Sequence, residues 1–245
     1  MVYLGSKSRL AKELVPIIQE YIDKSNCNTY IELFVGGANI IDKIKCENKL
    51  VFDYNEDLIC LLQYAQNDTE LSIAPKECSF EHYKEVRKDK ECKSFSKEYR
   101  ALISYMASYG GRYFDGGYGR DNRGGMSIYK ERLNNFKKQT PLLQNIKFEC
   151  MDYINLDISK YQNCVFYLDP PYINTKKFAK QSIDYEDFYN FCRELSKNNI
   201  VLISEFYMPD DFKCIWEKER KILMKSDRQN GLSKTEKLYI YKENL

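Results

Sequence analysis

The chain has 245 residues, 43% of them hydrophobic and 30% charged, which is enough for one large domain, or a core domain carrying a smaller insertion, around a real buried core. Its net charge is only +2, so a nucleic-acid partner has to be argued from where the charge lies and not from its total. Nine dispersed cysteines without a Cys-x-x-Cys pair, and a single histidine, His82, exclude a zinc constellation and a disulfide framework. No metal is expected, and the thiols are expected to be reduced. The N-terminal segment lacks a basic stretch followed by an apolar one, and no apolar run approaches the ~20 residues that span a bilayer. A soluble protein of the cytoplasm, with no membrane partner, is the expectation. Tyr occurs 21 times and Trp once; that suits stacking on bases and equally suits a plain compositional bias.

A loop from Tyr3 to Ser8 leads into a helix with Leu10, Leu14, Ile17, Ile18 and Tyr21 on one side, which Pro16 is expected to kink or to shift. Tyr30-Ile-Glu-Leu-Phe-Val35 reads as a strand ending on Gly36-Gly37, Leu50 to Asp53 as a second strand ending in an acid, and Asp57 to Gln66 as a helix. Strands separated by helical stretches predict a parallel, doubly wound sheet. From about residue 67 to 145 the chain turns polar, helical over Tyr99 to Ala107 and loop-like after it. Strand-like runs resume at Ile146 to Cys150, Val165 to Leu168 and Ile200 to Ile203, with a helix from about Tyr185 to Lys197. Lys221 to Met224 and Lys237 to Tyr241 alternate like an antiparallel hairpin, and the polar stretch Ser226 to Lys237 reads as its tip. The fold expected is α/β, with a core formed by residues 1–66 and 146–245 and an insertion over 67–145.

Asp169-Pro170-Pro171-Tyr172 follows a buried-looking strand, at the carboxyl edge where open α/β sheets place their ligands. Two consecutive prolines fix the backbone and remove two N–H donors, leaving carbonyls that face outward. That arrangement suits a site accepting hydrogen bonds from an amino group. A carboxylate (Asp169) and a carbonyl (Pro170) that take both hydrogens of an exocyclic amine such as that of adenine favour a pyramidal nitrogen with its lone pair exposed. Tyr172 is then placed to stack on the ring.

Gly36-Gly37 at a strand end lets a ligand lie against the backbone. Asp53, seventeen residues beyond Gly36, has the placement of an acid that hydrogen-bonds ribose hydroxyls in nucleoside-binding α/β folds. Alone, the glycine pair reads equally well as an ordinary turn. Asp152, in Met151-Asp-Tyr153, either sets a carboxylate near an adenine ring or caps the next turn. Between Arg100 and Lys138 there are eight basic residues (Arg100, Arg112, Arg120, Arg123, Lys130, Arg132, Lys137 and Lys138) and three acids (Asp115, Asp121 and Glu131), a surplus of five. Arg interleaved with Tyr and Gly suits contact with phosphates and base edges. Arg112, Tyr113, Arg120 and Arg123 are the candidates, with Lys176 and Lys177 beside the reaction loop. Ser204-Glu-Phe-Tyr207 is expected to line a base pocket.

Tyr3-Leu-Gly-Ser-Lys7, Glu32-Leu-Phe-Val-Gly-Gly37, Asp53, Asp152-Tyr153 and Asp169-Pro-Pro-Tyr172, in that order, resemble the Dam-like DNA adenine-specific amino methyltransferases, and most closely their short phage and prophage members. The resemblance covers nearly the whole chain, and Val201 to Glu205 and Leu238 to Tyr241 are similar to the family's later core strands. It implies a Rossmann-like methyltransferase core with a target-recognition insertion between the cofactor and catalytic halves. It also implies S-adenosylmethionine as methyl donor and an adenine flipped out of double-stranded DNA as substrate, in the cytoplasm of a bacterial host. Carried over by position, it puts Tyr3 and Lys7 against the cofactor, Phe34 and Gly36 in the glycine turn, and Asp53 on the ribose. Asp152 and Tyr153 fall at the cofactor's adenine, and Asp169 becomes the catalytic acid, beside the methionyl part. Gly5-Ser6 stands where many relatives have two glycines and Leu33 where proline is common. Neither departure removes a chemical group, so an active enzyme, and a monomer, is expected. The residues alone leave open the amino group of cytosine or of structured RNA, and a catalytically decayed DNA-binding relic, against which the intact Asp53 and Asp169 argue.

Overall fold

Val165-Phe-Tyr-Leu168 sets four large apolar or aromatic side chains in succession, which a strand can bury only when both of its faces are covered. In the computed structural model, which describes residues 1–120, 127–172, 183–221 and 233–244, this run is the middle strand of a seven-stranded sheet and all four residues are buried. The strands are β1 (Thr29–Glu32), β2 (Asn48–Asp53), β3 (Ile146–Cys150), β4 (Val165–Leu168), β5 (Ile200–Glu205), β6 (Phe212–Lys221) and β7 (Ser233–Tyr241). Their spatial order is β3-β2-β1-β4-β5-β7-β6. The first five are parallel, and β7 enters antiparallel between β5 and β6. This is the expected mostly parallel α/β fold with a C-terminal antiparallel hairpin.

Successive strand residues point to opposite faces, and the core divides accordingly. Tyr30, Val51, Val165, Tyr167 and Leu202 enter one apolar cluster; Ile31, Phe52, Phe166, Leu168, Val201 and Ile203 enter the other. The first face is covered by α1 (Ala11–Ser25), α2 (Glu56–Asn67), α3 (Phe80–Lys88), α4 (Lys97–Ala107) and α5 (Ile128–Gln139), the second by α6 (Tyr185–Ser196). Helix α1 buries Ala11, Leu14, Ile18 and Ile22 and continues through Pro16, which is exposed and early in the helix. Among the described residues no helix is long and apolar enough to cross a membrane.

Helix α5 falls where a loop-like stretch was expected, and α3 falls in the polar stretch before Tyr99, where no particular helix was read. Ser79 accepts the His82 N–H at the start of α3, and Ser127 accepts the Lys130 N–H at the start of α5, the capping that N-terminal serines provide. Helix α5 buries only Tyr129, Leu133, Phe136 and Gln139, a sparse stripe at helical spacing inside an otherwise polar segment. The buried side chains of α3, α4 and α5 share one cluster with those of α1 and α2.

The hairpin also differs from expectation. Its first strand is Phe212–Lys221, not Lys221 to Met224, and its second begins at Ser233, so the stretch read as a tip is partly strand. A register shift between Cys214 and Trp216 breaks the alternation of β6, and its charges are those of an edge strand. Residues 222–232 lie outside the described ones.

From β1 the chain proceeds outward through β2 and β3 on one side, and through β4 and β5 on the other. The crevice at the carboxyl ends of β1 and β4 is therefore the topological switch point, where open sheets bind ligands. Because Phe136 in α5 is fully buried in the cluster shared with α1 and α2, Phe136→Ala is expected to destabilise the chain by about 3–5 kcal/mol. Chemical denaturation followed by circular dichroism and by Trp216 fluorescence should report the loss in one coincident transition.

Candidate active site

At the end of β1 the chain turns through Leu33 to Gly37 beside the end of β2. The Val35 N–H donates to the Phe52 carbonyl at 3.0 Å, and the Gly36 N–H to Asp53 Oδ2 at 3.1 Å. The other carboxylate oxygen, Asp53 Oδ1, accepts the Asn55 N–H at 3.0 Å. Asp53 thus ties two strand-end turns together, each oxygen keeping capacity for a further donor. Burial pushes its carboxyl up from 3.8 to about 6, against the two N–H bonds that favour the charged form. Asn55 in turn caps α2 by accepting the Leu58 N–H at 3.2 Å, and donates to the Tyr105 hydroxyl of α4 at 3.1 Å.

The N-terminal loop lies on the glycine turn. Gly36 has φ +48°, and a Cβ there would stand 3.0 Å from the Tyr3 ring; one on Gly37 would stand 2.8 Å from the Met1 carbonyl oxygen and 2.9 Å from Tyr3 Cβ. Both positions therefore require glycine for close approach. From the other side Gln139, the last residue of α5, donates to the Ala38 carbonyl at 2.8 Å and to Asp42 Oδ2 at 2.9 Å.

Beyond β4, Asp169 meets Lys7, whose Nζ stands 2.8 Å from Asp169 Oδ1 and 3.6 Å from Glu236 Oε2. The same ammonium lies 4.3 Å from the centroid of the Tyr172 ring. The Tyr172 hydroxyl donates to Glu236 Oε2 at 3.0 Å, and its ring meets Phe206 edge to face with centroids 4.5 Å apart. Pro171's carbonyl accepts the Tyr185 hydroxyl at 2.6 Å, so one of the two proline carbonyls expected to face outward is engaged within the fold. Burial pushes the Asp169 carboxyl above its ordinary range; Lys7 opposes that shift and Glu236 adds to it.

A cavity of about 1160 Å³ joins the two strand ends. Its walls bring together Tyr3, Lys7, Phe34, Gly36 and Asp53 from the first half with Asp152, Tyr153, Asp169, Pro170, Pro171 and Tyr172 from the second. Phe34 packs on Tyr153 at a centroid distance of 5.3 Å, and Tyr153 on Phe188 and Phe191 behind it. Asp152 precedes a single helical turn and accepts its Ile154 N–H at 3.4 Å. A buried acid with spare acceptor capacity, a turn that admits only glycine and an apolar wall at Phe34 fit a nucleoside-bearing cofactor such as S-adenosylmethionine. Two members were not legible in the chain as site residues: Glu236, from β7, and Gln139, from α5. Each is a lone polar residue whose neighbours in sequence carry no motif. Of Ser204 to Tyr207, only Phe206 lines the cavity; Ser204 and Glu205 are buried and Tyr207 is 57% exposed.

The basic surplus of the 100–138 segment is largely used inside the molecule. Arg100 is buried, donating to the Val86 carbonyl at 3.3 Å and 4.0 Å from Asp57. Arg132 donates to the carbonyls of Tyr105, Met106 and Ser108 at the end of α4. Lys130 pairs with Glu77 and Lys137 with Glu70. Tyr113 donates its hydroxyl to Asp57 and packs on Tyr105 and Phe114. Arg112 is exposed at the cavity wall, and Arg120 is exposed with its guanidinium 5.4 Å from the Phe80 ring centroid. Arg123, Lys176 and Lys177 lie outside the described residues.

The raised value of Asp53 has a sign that can be tested. Folded, the acid holds its proton more tightly than in the unfolded chain, so its contribution is fully present below 3.8 and is lost as pH rises through about 6. The stability difference across that window is on the order of 3 kcal/mol. Urea unfolding at a series of pH values should show the decline in the wild type and a flattened profile in Asp53→Asn.

A family model for the D12 class N6 adenine-specific DNA methyltransferase matches residues 3–202. The type II methyltransferase M.MjaIII of Methanocaldococcus jannaschii is 24% identical, over 88% of this chain and 86% of its own length. M.FokI, a type II methyltransferase of Planomicrobium okeanokoites, is 26% identical over 71% of this chain, which spans only 28% of that longer protein. Among solved structures, an rRNA methylase from Streptococcus thermophilus aligns over 93% of this chain and 96% of its own, with a TM-score of 0.37 and 8% identity. With its matching region running from the N-terminal loop into β5, the chain belongs to the D12 class N6 adenine-specific DNA methyltransferases, enzymes that move a methyl group from S-adenosylmethionine to the amino nitrogen of adenine in DNA.

Proposed function

We propose that the chain is a site-specific methyltransferase that takes an adenine flipped out of duplex DNA, with Asp169 and the Pro170 carbonyl receiving the hydrogens of its amino group. The observation that carries this reading is the junction of the Asp169–Tyr172 loop and the Asp53–Gly36 turn in one cavity at the switch point. An exocyclic amine is a weak nucleophile because its lone pair is delocalised into the ring. Two acceptors that bind its hydrogens draw the nitrogen toward a pyramidal form, and they are rigid because two prolines hold the backbone between them. Tyr172, edge-on to Phe206, supplies an aromatic wall for the base.

On the other side, Asp53 would hold ribose hydroxyls, Phe34 and Tyr153 would flank the adenine with Asp152 near its edge, and Tyr3 and Lys7 would close the N-terminal side. S-adenosylmethionine, when bound, supplies an electrophilic methyl on a sulfonium, and no metal is required for that chemistry. Lys7 holds Asp169 in place and favours its charged form, and the apolar surroundings exclude water from the acceptors.

Residues 67–145 are proposed to carry target recognition while their helices complete the core. Arg112 at the cavity wall and Arg120 on the outer surface are the described candidates for phosphate or base contact, with Arg123 and, less directly, Tyr113. The chain is proposed to act as a monomer in the cytoplasm of a bacterial host.

Methyl transfer from labelled cofactor to duplex DNA, followed by nucleoside analysis, tests the reaction. N6-methyladenine is the expected product, and N4-methylcytosine or label in RNA alone would replace this reading. Asp169→Ala is expected to lower kcat by about 10²–10⁴-fold while cofactor binding persists. Arg112→Ala and Arg120→Ala are each expected to weaken DNA binding and reduce its salt slope by about one; unchanged slopes would place the DNA surface elsewhere.

A further inference from the structure

The antiparallel strand β7 delivers a carboxylate to the reaction loop. Glu236 pairs across the hairpin with Lys218, yet its side chain is only 13% exposed and stands 3.6 Å from Lys7 Nζ. A carboxylate so placed costs stability unless its lone pairs are met. Here they are met by the Tyr172 hydroxyl at 3.0 Å, across 64 residues of chain, and by Lys7.

We propose that Glu236 is a positioning residue for methyl transfer, fixing the Tyr172 ring through its hydroxyl and sharing the Lys7 ammonium with Asp169. This rests on the reading of Asp169–Tyr172 as the reaction loop. The first task follows from the loop itself. Pro170 and Pro171 have no N–H; the loop backbone is anchored at the Pro171 carbonyl by the Tyr185 hydroxyl. The Tyr172 ring is oriented by what its side chain touches: Glu236 and Asp169 at the hydroxyl, Phe206 against the ring, and Lys7 4.3 Å from the ring centroid. The second follows from charge. One ammonium serves two carboxylates, at 2.8 Å and 3.6 Å, so Asp169 is less completely neutralised than in a simple pair and keeps its capacity to accept an amine hydrogen. The titratable groups that face Asp169 are Lys7 and Tyr3 from the N-terminal loop, Glu32 from β1, Tyr167 from β4, Tyr172 from its own loop and Glu236 from β7. Of these, Glu236 is the one that bonds to Tyr172 and also stands beside Lys7.

Single-turnover methyl transfer to duplex DNA at saturating cofactor, measured from acid to neutral pH, tests this with wild type, Glu236→Leu and Glu236→Gln. E236L is expected to slow transfer by about 30- to 100-fold, the scale of a misplaced reacting group, with its cofactor dissociation constant within about threefold of wild type. E236Q keeps an oxygen that can accept the Tyr172 hydroxyl and is expected to regain about tenfold of that loss. Loss of the neighbouring negative charge should move its acid limb to lower pH. Wild-type rates in E236L overturn the proposal, and so does an E236Q whose acid limb is unmoved. If E236L fails to fold, the acid limb of E236Q decides. Absence of methyladenine from the wild type counts against the reaction itself, whereas product from the wild type with an unaffected E236L counts against Glu236 alone.

Discussion

One buried ammonium ties the Asp169–Tyr172 loop to the rest of the fold. Lys7 is 7% exposed, and a charge so removed from water persists only where opposite charge and a polarisable face surround it. Asp169, Glu236 and the Tyr172 ring supply them, and they come from the β4 loop and β7 while Lys7 comes from the N-terminal loop. Three separate parts of the chain are thereby obliged to meet. The same contact keeps the N-terminal loop over the glycine turn, where Tyr3 covers Gly36. The geometry of the Asp169–Tyr172 loop and the shape of the glycine turn are therefore not independent.

A second constraint acts from behind the glycine turn. Asp53 receives N–H groups from both strand-end turns, and Gln139 of α5 donates its amide N–H groups to the turn from the other side. Asn55 extends the connection to Tyr105 in α4. The helices of the 67–145 segment thus brace the cofactor side directly, while the Arg112 end of the same segment stands at the cavity wall. The glycine turn and the Arg112 end of the segment therefore share a support, although their residues lie on different surfaces.

The 100–138 stretch also shows why net charge is a coarse guide. Its surplus of basic residues suggested a DNA-facing surface, but Arg100 and Arg132 are consumed by backbone carbonyls, and Lys130 and Lys137 by neighbouring acids. What remains for solvent among the described residues is Arg112, Arg120 and Lys138. A guanidinium with five donors serves as readily to cap a helix end as to hold a phosphate, and only its surroundings separate the two uses.

The chain alone was sufficient for the parallel strands, the order of the motifs and the Pro-Pro turn after β4, because each depends on local rules: apolar runs of strand length, glycine at a strand end, acids one strand apart and two prolines after a buried strand. Asp169-Pro-Pro-Tyr172 also stood out in the chain, since two prolines confine the backbone by covalent geometry. The chain was insufficient for α3 and α5, whose apolar stripes are too sparse to stand out, and for β6, whose alternation is interrupted by a bulge. Above all it was silent on Glu236 and Gln139. A lone Glu in Lys234-Thr-Glu-Lys237 looks like any solvated strand residue, and only the insertion of β7 between β5 and β6 brings it to Tyr172 and Lys7. Local sequence determined which groups could do the chemistry; the tertiary fold decided which distant carboxylates and amides hold them, because burial turns an ordinary side chain into one whose partners are obligatory.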